Sequence, residues 1–180
     1  MREICVPILP YWMAEIANGI KSLEIRKTKP KELPCVAWLY CSKGGRQYLI
    51  DKKAVSNGKY EACFHADLKN KNKTACITPK SDCVLNGRII GKCVIRKAHD
   101  LVTDPRGYVA IKENEQTLVD QECWIHKTSL TNQGLLAYLV HGYGYAWEIT
   151  ELEIFDKPMS LSDLGLKRAP QSWCYVEVGE

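Results

Sequence analysis

The sequence lacks any apolar run long enough to cross a membrane. Its first residues also lack an extended apolar segment leading to a small-residue cleavage pattern. Neither a membrane partner nor export is therefore expected, and the chain reads as cytoplasmic. No Cys-x-x-Cys pair occurs among the nine cysteines, and their odd number does not suit a closed disulfide framework. Cys5, Cys35, Cys93 and Cys174 fall in strand-like apolar runs, where a thiol packs as a small hydrophobe in a reducing compartment. Strong charge is missing too: a formal net charge of +4 permits contact with nucleic acid without demanding it. No cofactor is expected. What is present is an ordinary globular balance, 46% hydrophobic and 26% charged over 180 residues, which argues for a buried core and against disorder.

One stretch organises the rest. Pro10 suits the first turn of a helix through residues 11–18, with Trp12, Met13 and Ile16 as its buried stripe and Gly19 as its stop. From Ser22 to Lys27 the pattern alternates, which predicts a strand with Ser22, Glu24 and Arg26 on one face and Leu23, Ile25 and Lys27 on the other. Glu24 and Arg26 then lie about 6.6 Å apart along the strand, close enough for one small polar or anionic ligand to touch both. A bend at the helix–strand junction brings the Lys21 ammonium towards the same place. A surface ion pair beside a turn is the plainer alternative.

Around this stretch the pattern predicts a strand at residues 2–8 and a central strand at Cys35–Cys41, almost continuously apolar. Residues 43–86 read as an irregular insertion with a short hairpin or helix near Tyr48 to Val55. A strand returns at 88–97, where Gly91 marks a bulge or a close backbone approach. Residues 99–128 look irregular, and Thr131 is an N-cap for a helix through Leu139. A glycine–aromatic turn at 141–145 leads into a strand at 146–155 closed by Pro158, then a helical turn at 160–164 and a last strand at 173–178. Short strands with few helices argue for an α+β chain: one domain over 1–180, a small mixed β-barrel with peripheral helices and the irregular insertion.

Two chemistries suit the central cluster. A Lys21–Glu24 pair in a partly desolvated cleft can act as acid and base, with Arg26 steadying a developing oxyanion. Alternatively Lys21 and Arg26 hold a phosphate or base edge, Glu24 orients Arg26, and a base stacks on Tyr11, Trp12, Tyr40, Tyr143 or Tyr145, although each of these also reads as a core or rim residue. Gln171 and Ser172 are candidates to line the same cleft, next to a Trp173 that reads as a plug. His141 and the lysine run at 69–73 are weaker candidates. Cys63, His65, Cys76 and Cys83 form a conceivable zinc set, at a spacing unlike the familiar knuckles.

With Gly19, Lys21, Glu24 and Arg26 placed after a short helix, the chain resembles an ASCH domain of the PUA-like superfamily, whose signature is Gly-x-Lys-x-x-Glu-x-Arg. The segments 142–147, 156–158 and 170–176 resemble a phage- and bacterium-associated branch of that family. The resemblance implies a PUA-like β-barrel with a cleft beside the signature strand. That cleft is expected to take RNA or a nucleoside-like small molecule through Gly19, Lys21, Glu24, Arg26, Tyr40, Tyr143, Gln171 and Ser172. Some small members hydrolyse N4-acetylcytidine, with a threonine nucleophile where this chain has Glu24; Ser22 and Thr28 lie near that position. Binding is therefore expected ahead of catalysis. The alternatives are an amidohydrolase using Lys21 and Glu24, or a ribonuclease.

Overall fold

The computed structural model describes residues 1–43, 47–64, 81–114, 118–139 and 142–177. Strand β1 (Glu3–Ile8) runs parallel to β3 (Cys35–Cys41), and helix α1 (Pro10–Ala17) and the short β2 (Leu23–Arg26) lie between them in sequence. Helix α1 starts at Pro10, as a proline with no amide to lose allows, and buries Met13, Ala14 and Ile16; Trp12 is only half-buried. Gly19 then takes a left-handed conformation (φ 74°) and donates to the Ile16 carbonyl, stopping the helix.

Among the described residues of the insertion, β4 (Gln47–Ile50) and β5 (Glu61–Phe64) form a two-stranded antiparallel sheet. It is tied to the end of α1 by the Asn18 side chain, which donates to the Tyr60 carbonyl (2.8 Å) and accepts from the Tyr60 amide (3.0 Å).

Two long strands carry the remainder. Strand β6 (Ile89–Thr103) pairs with β3 and with β9 (Tyr143–Met159), and its far end pairs with β7 (Val109–Lys112), which in turn meets β8 (Leu118–Val119). Part of the segment expected to be irregular after residue 99 is therefore strand. Pro158 does not close β9, which reaches Met159. At Gly91 the β6–β9 ladder shifts register, and a Cβ there would collide with the Glu153 carbonyl, so the glycine marks both a bulge and a close approach. Helix α2 (Asn132–Tyr138) starts at Thr131, whose hydroxyl accepts from the Gly134 amide. Strand β10 (Cys174–Val176) pairs with the start of β1.

These strands make one eight-stranded mixed sheet, but the expected barrel is not closed. Closure would require β1 to pair with β2. No ladder joins them among the described residues; instead, the Arg26 side chain crosses the gap and donates to the Pro7 carbonyl of β1 (2.7 Å). Strand β2 is thus hydrogen-bonded to β9 on one edge and leaves its other edge to side chains.

Burial explains why this strand can carry charge. All four of its residues are buried. Leu23 and Ile25 pack in an apolar cluster with Trp124 and Leu135, while α1 contributes Met13 and Ile16 to the larger cluster around Trp147. Glu24 and Arg26, each 8% exposed, are buried as well, and a buried charge must find a partner.

No helix among the described residues is long and apolar enough to cross a membrane.

Candidate functional site

Lys21 is 3% exposed, which is rare for a lysine. Its ammonium has three N–H donors. It donates to the carbonyls of Leu23 and Thr128, both at 2.7 Å, and lies 3.4 Å from Glu24 Oε2. Burial pulls its proton affinity below the ordinary lysine value, and the Glu24 carboxylate pushes in the opposite direction without cancelling the shift. Glu24 Oε1 meets Arg26 Nη2 at 3.0 Å. The same Nη2 donates to the Pro7 carbonyl (2.7 Å), Nη1 donates to the Ser172 carbonyl (3.3 Å), and Nε is buried with no partner.

The three charges therefore form one fixed relay, Lys21–Glu24–Arg26, and every proton on Lys21 already has an acceptor. Gly19 belongs to it only through backbone shape: a Cβ at this position would meet nothing within 4 Å, so its role is the turn that delivers Lys21.

The relay lines a cavity of about 300 Å³. Trp12 from α1 and Tyr138 from α2 also line it, with Leu9 and Leu130. The Lys21 ammonium lies 5.5 Å from the Trp12 ring centre, and the Lys27 ammonium lies 5.3 Å from that of Tyr138. Through Pro7, Leu9, Arg26 and Tyr138 this cavity adjoins a larger groove of about 890 Å³. Tyr40, Gln171 and Ser172 line that groove.

Of the residues expected at the site, Lys21, Glu24, Arg26 and Trp12 line the smaller cavity, and Tyr40, Gln171 and Ser172 line the adjoining groove. Tyr143 lines neither; it is 60% exposed at the start of β9. Tyr145 has the Lys29 ammonium 4.6 Å from its ring centre, and Tyr11 stands edge-on to Trp12. Trp173 packs edge-on to Trp147 and donates its indole N–H to the Thr28 hydroxyl (2.9 Å).

Ser22 does not share the face of Glu24. It precedes the first residue of β2, so the strand's alternation does not reach it. Its amide donates to Lys127 and its carbonyl accepts from Ile149, and it lines a different cavity with His99, Cys123 and Glu148. Of the zinc set, His65 and Cys76 lie outside the described residues. Among the described residues no group of three or more His, Cys, Asp or Glu side chains is placed to hold a metal. His141 and the 69–73 run also lie outside them.

Sequence reasoning did not single out several contributors. Leu23, Pro7 and Thr128 act through carbonyl oxygens, for which side-chain identity gives no signal. Tyr138 had a usable signal: it lies on the helix capped by Thr131, beside Gly134, which also lines the cavity.

Three crystal structures of an ASCH protein from Zymomonas mobilis match nearly the whole chain. The ASCH protein itself aligns with a TM-score of 0.57 at 13% identity, covering 97% of this chain and 87% of that one. Two of its mutant forms align with TM-scores of 0.57 and 0.58 at 12% and 11% identity, covering 97% and 98% of this chain and 88% and 91% of theirs. No protein-family model matches the sequence, and neither does any curated protein sequence. The fold is ASCH-like.

Proposed function

We propose that this chain binds RNA, or a ligand bearing a nucleobase, in the Lys21–Glu24–Arg26 cleft. One observation carries the reading: a cavity of about 300 Å³ has two aromatic side chains, Trp12 and Tyr138, in its lining together with a buried relay of hydrogen-bonding charges. Aromatic surface supplies stacking for a base of any sequence, and fixed charged groups read its polar edge. Glu24 retains acceptor capacity beyond the two cations it already meets, because an ionised carboxylate has about four lone-pair sites.

Binding ranks above hydrolysis for two reasons. All three Lys21 protons are engaged by protein acceptors, so the lysine has none to spare for a reacting group. The two hydroxyls nearest in sequence are also unsuited: Ser22 lines another cavity, and the Thr28 hydroxyl already accepts the Trp173 indole.

The test is titration calorimetry with the four ribonucleoside monophosphates and a short RNA, on the wild type, Tyr138→Leu and Tyr143→Leu. Loss of one stacking partner should cost Tyr138→Leu about 1–3 kcal/mol of affinity, and Tyr143→Leu should bind as the wild type does. Equal affinity of the wild type and Tyr138→Leu for every probe refutes the assignment. Release of acetate from N4-acetylcytidine by the same preparation would favour the hydrolytic alternative.

A further inference from the structure

The groove beyond the cleft differs in charge from the rest of the surface. The 890 Å³ groove adjoining the cleft shares Tyr40, Lys43, Leu161 and Lys167 with a further cavity of about 650 Å³. Five exposed cations line the two: Lys27, Lys43, Arg88, Lys167 and Arg168. Among the described residues no carboxylate lines either one.

These five exceed the net excess of four positive charges carried by the whole chain, so the rest of the chain sums to a net charge of −1. None of them makes an ion pair among the described residues. Exposed cations elsewhere, such as Lys31, Arg96 and Lys112, are unpaired there too, so what sets the five apart is that they line two connected cavities together. Asp163 feels the charge of Arg88, and its carboxylate accepts from the Ser160 amide at 2.8 Å. Unpaired cations set along connected cavities match a polyanion, and one phosphate could engage only one or two of them.

We propose that the ligand is a single-stranded polynucleotide. It places one unpaired base in the Trp12–Tyr138 cleft and its sugar–phosphate backbone along Lys27, Lys43, Arg88, Lys167 and Arg168. This deepens the cleft reading above and rests on it. The strand is single because a base must leave its stack and its partner to enter a cavity of about 300 Å³.

The experiment is fluorescence polarisation on the full chain with an unstructured labelled RNA of about ten nucleotides. The same strand annealed as a duplex, the matching single-stranded DNA, and uridine monophosphate as competitor complete the set. Five phosphate contacts on a single strand give a log–log salt slope near −3.5, so affinity should fall about 100-fold between 50 and 200 mM salt. The double variant Lys167→Gln/Arg168→Gln, on exposed positions, should reduce the slope to about −2. The duplex and the monophosphate should bind far more weakly than the strand. Equal binding of the DNA strand also supports the path, and shows that the 2′-hydroxyl is not read.

Any of three results overturns the proposal: a duplex bound as tightly as the strand, a monophosphate that competes as well as the oligomer, or an unchanged slope in the double variant. If the monophosphate binds the wild type, is lost in Tyr138→Leu, and the oligomer gains nothing over it, the backbone path falls and the cleft reading stands. If no probe binds at all, both fall.

Discussion

Replacing Lys21 by methionine tests whether the relay is held together as the distances imply. Methionine keeps an unbranched stem in the same space but removes an ammonium that meets Leu23, Thr128 and Glu24. Removing one partner of a buried ion pair typically costs about 3–5 kcal/mol, because the other charge is left in a poor environment. Two features moderate this. Glu24 keeps Arg26 at 3.0 Å, and the unfavourable burial of the ammonium, which is what lowers Lys21's proton affinity, disappears with it. The expected loss is therefore about 3 kcal/mol, the low end of that range. With a urea dependence of about 2 kcal/mol per molar, the midpoint of unfolding followed by circular dichroism should fall by about 1.5 M.

Adding Glu24→Gln to Lys21→Met should cost less than the sum of the two single changes, with a coupling of about 1–3 kcal/mol. A midpoint shift below about 0.5 M for Lys21→Met, or strict additivity in the cycle, would refute the reasoning and leave the lysine as a spectator. The same numbers bear on ligand assays, because a Lys21 variant that binds poorly must first be shown to be folded.

Two further tests use other parts of the molecule. Gly19→Ala should destabilise by about 1 kcal/mol through its left-handed backbone, since a methyl group would meet nothing there. Gly91→Ala should be far more damaging because it collides with the β9 backbone, and thermal melts of the two variants settle the order. Brief alkylation of the native chain at pH 8, read by peptide mass spectrometry, should label the exposed Cys123 and spare four others. Burial pushes the thiols of Cys5, Cys41 and Cys93 up to about 12 and that of Cys35 to about 11, so all four stay protonated and unreactive at that pH. Prompt labelling of Cys5 or Cys41 would contradict the packing.

The parts of this molecule legible in its sequence are those in which side-chain pattern and local backbone agree. Residues 35–41 are apolar because the strand is buried almost throughout, and Gly19 follows an eight-residue helix because its φ is positive. The length of β6 and β9 was hidden because their far ends carry mixed polar and apolar residues and β9 tolerates Pro158. The open seam was hidden as well. Whether β1 meets β2 depends on where a guanidinium from residue 26 finds a carbonyl at residue 7, a matter of tertiary placement. Tyr138 lines the cavity while Tyr143 is 60% exposed, a difference set by the course of the backbone rather than by residue type.

The open seam also has a mechanical side. Strands β1 and β3 are joined along six residue pairs, whereas β1 and β2 are joined through Arg26. Under a separating load the sheet will part first along that line, because a single side chain yields before a six-rung ladder does. A strand lodged in the cleft would lie against this open seam. A bound strand that also contacted β1 and α2 would act as a splint across it, so resistance to pulling, measured with and without RNA, reports occupancy directly.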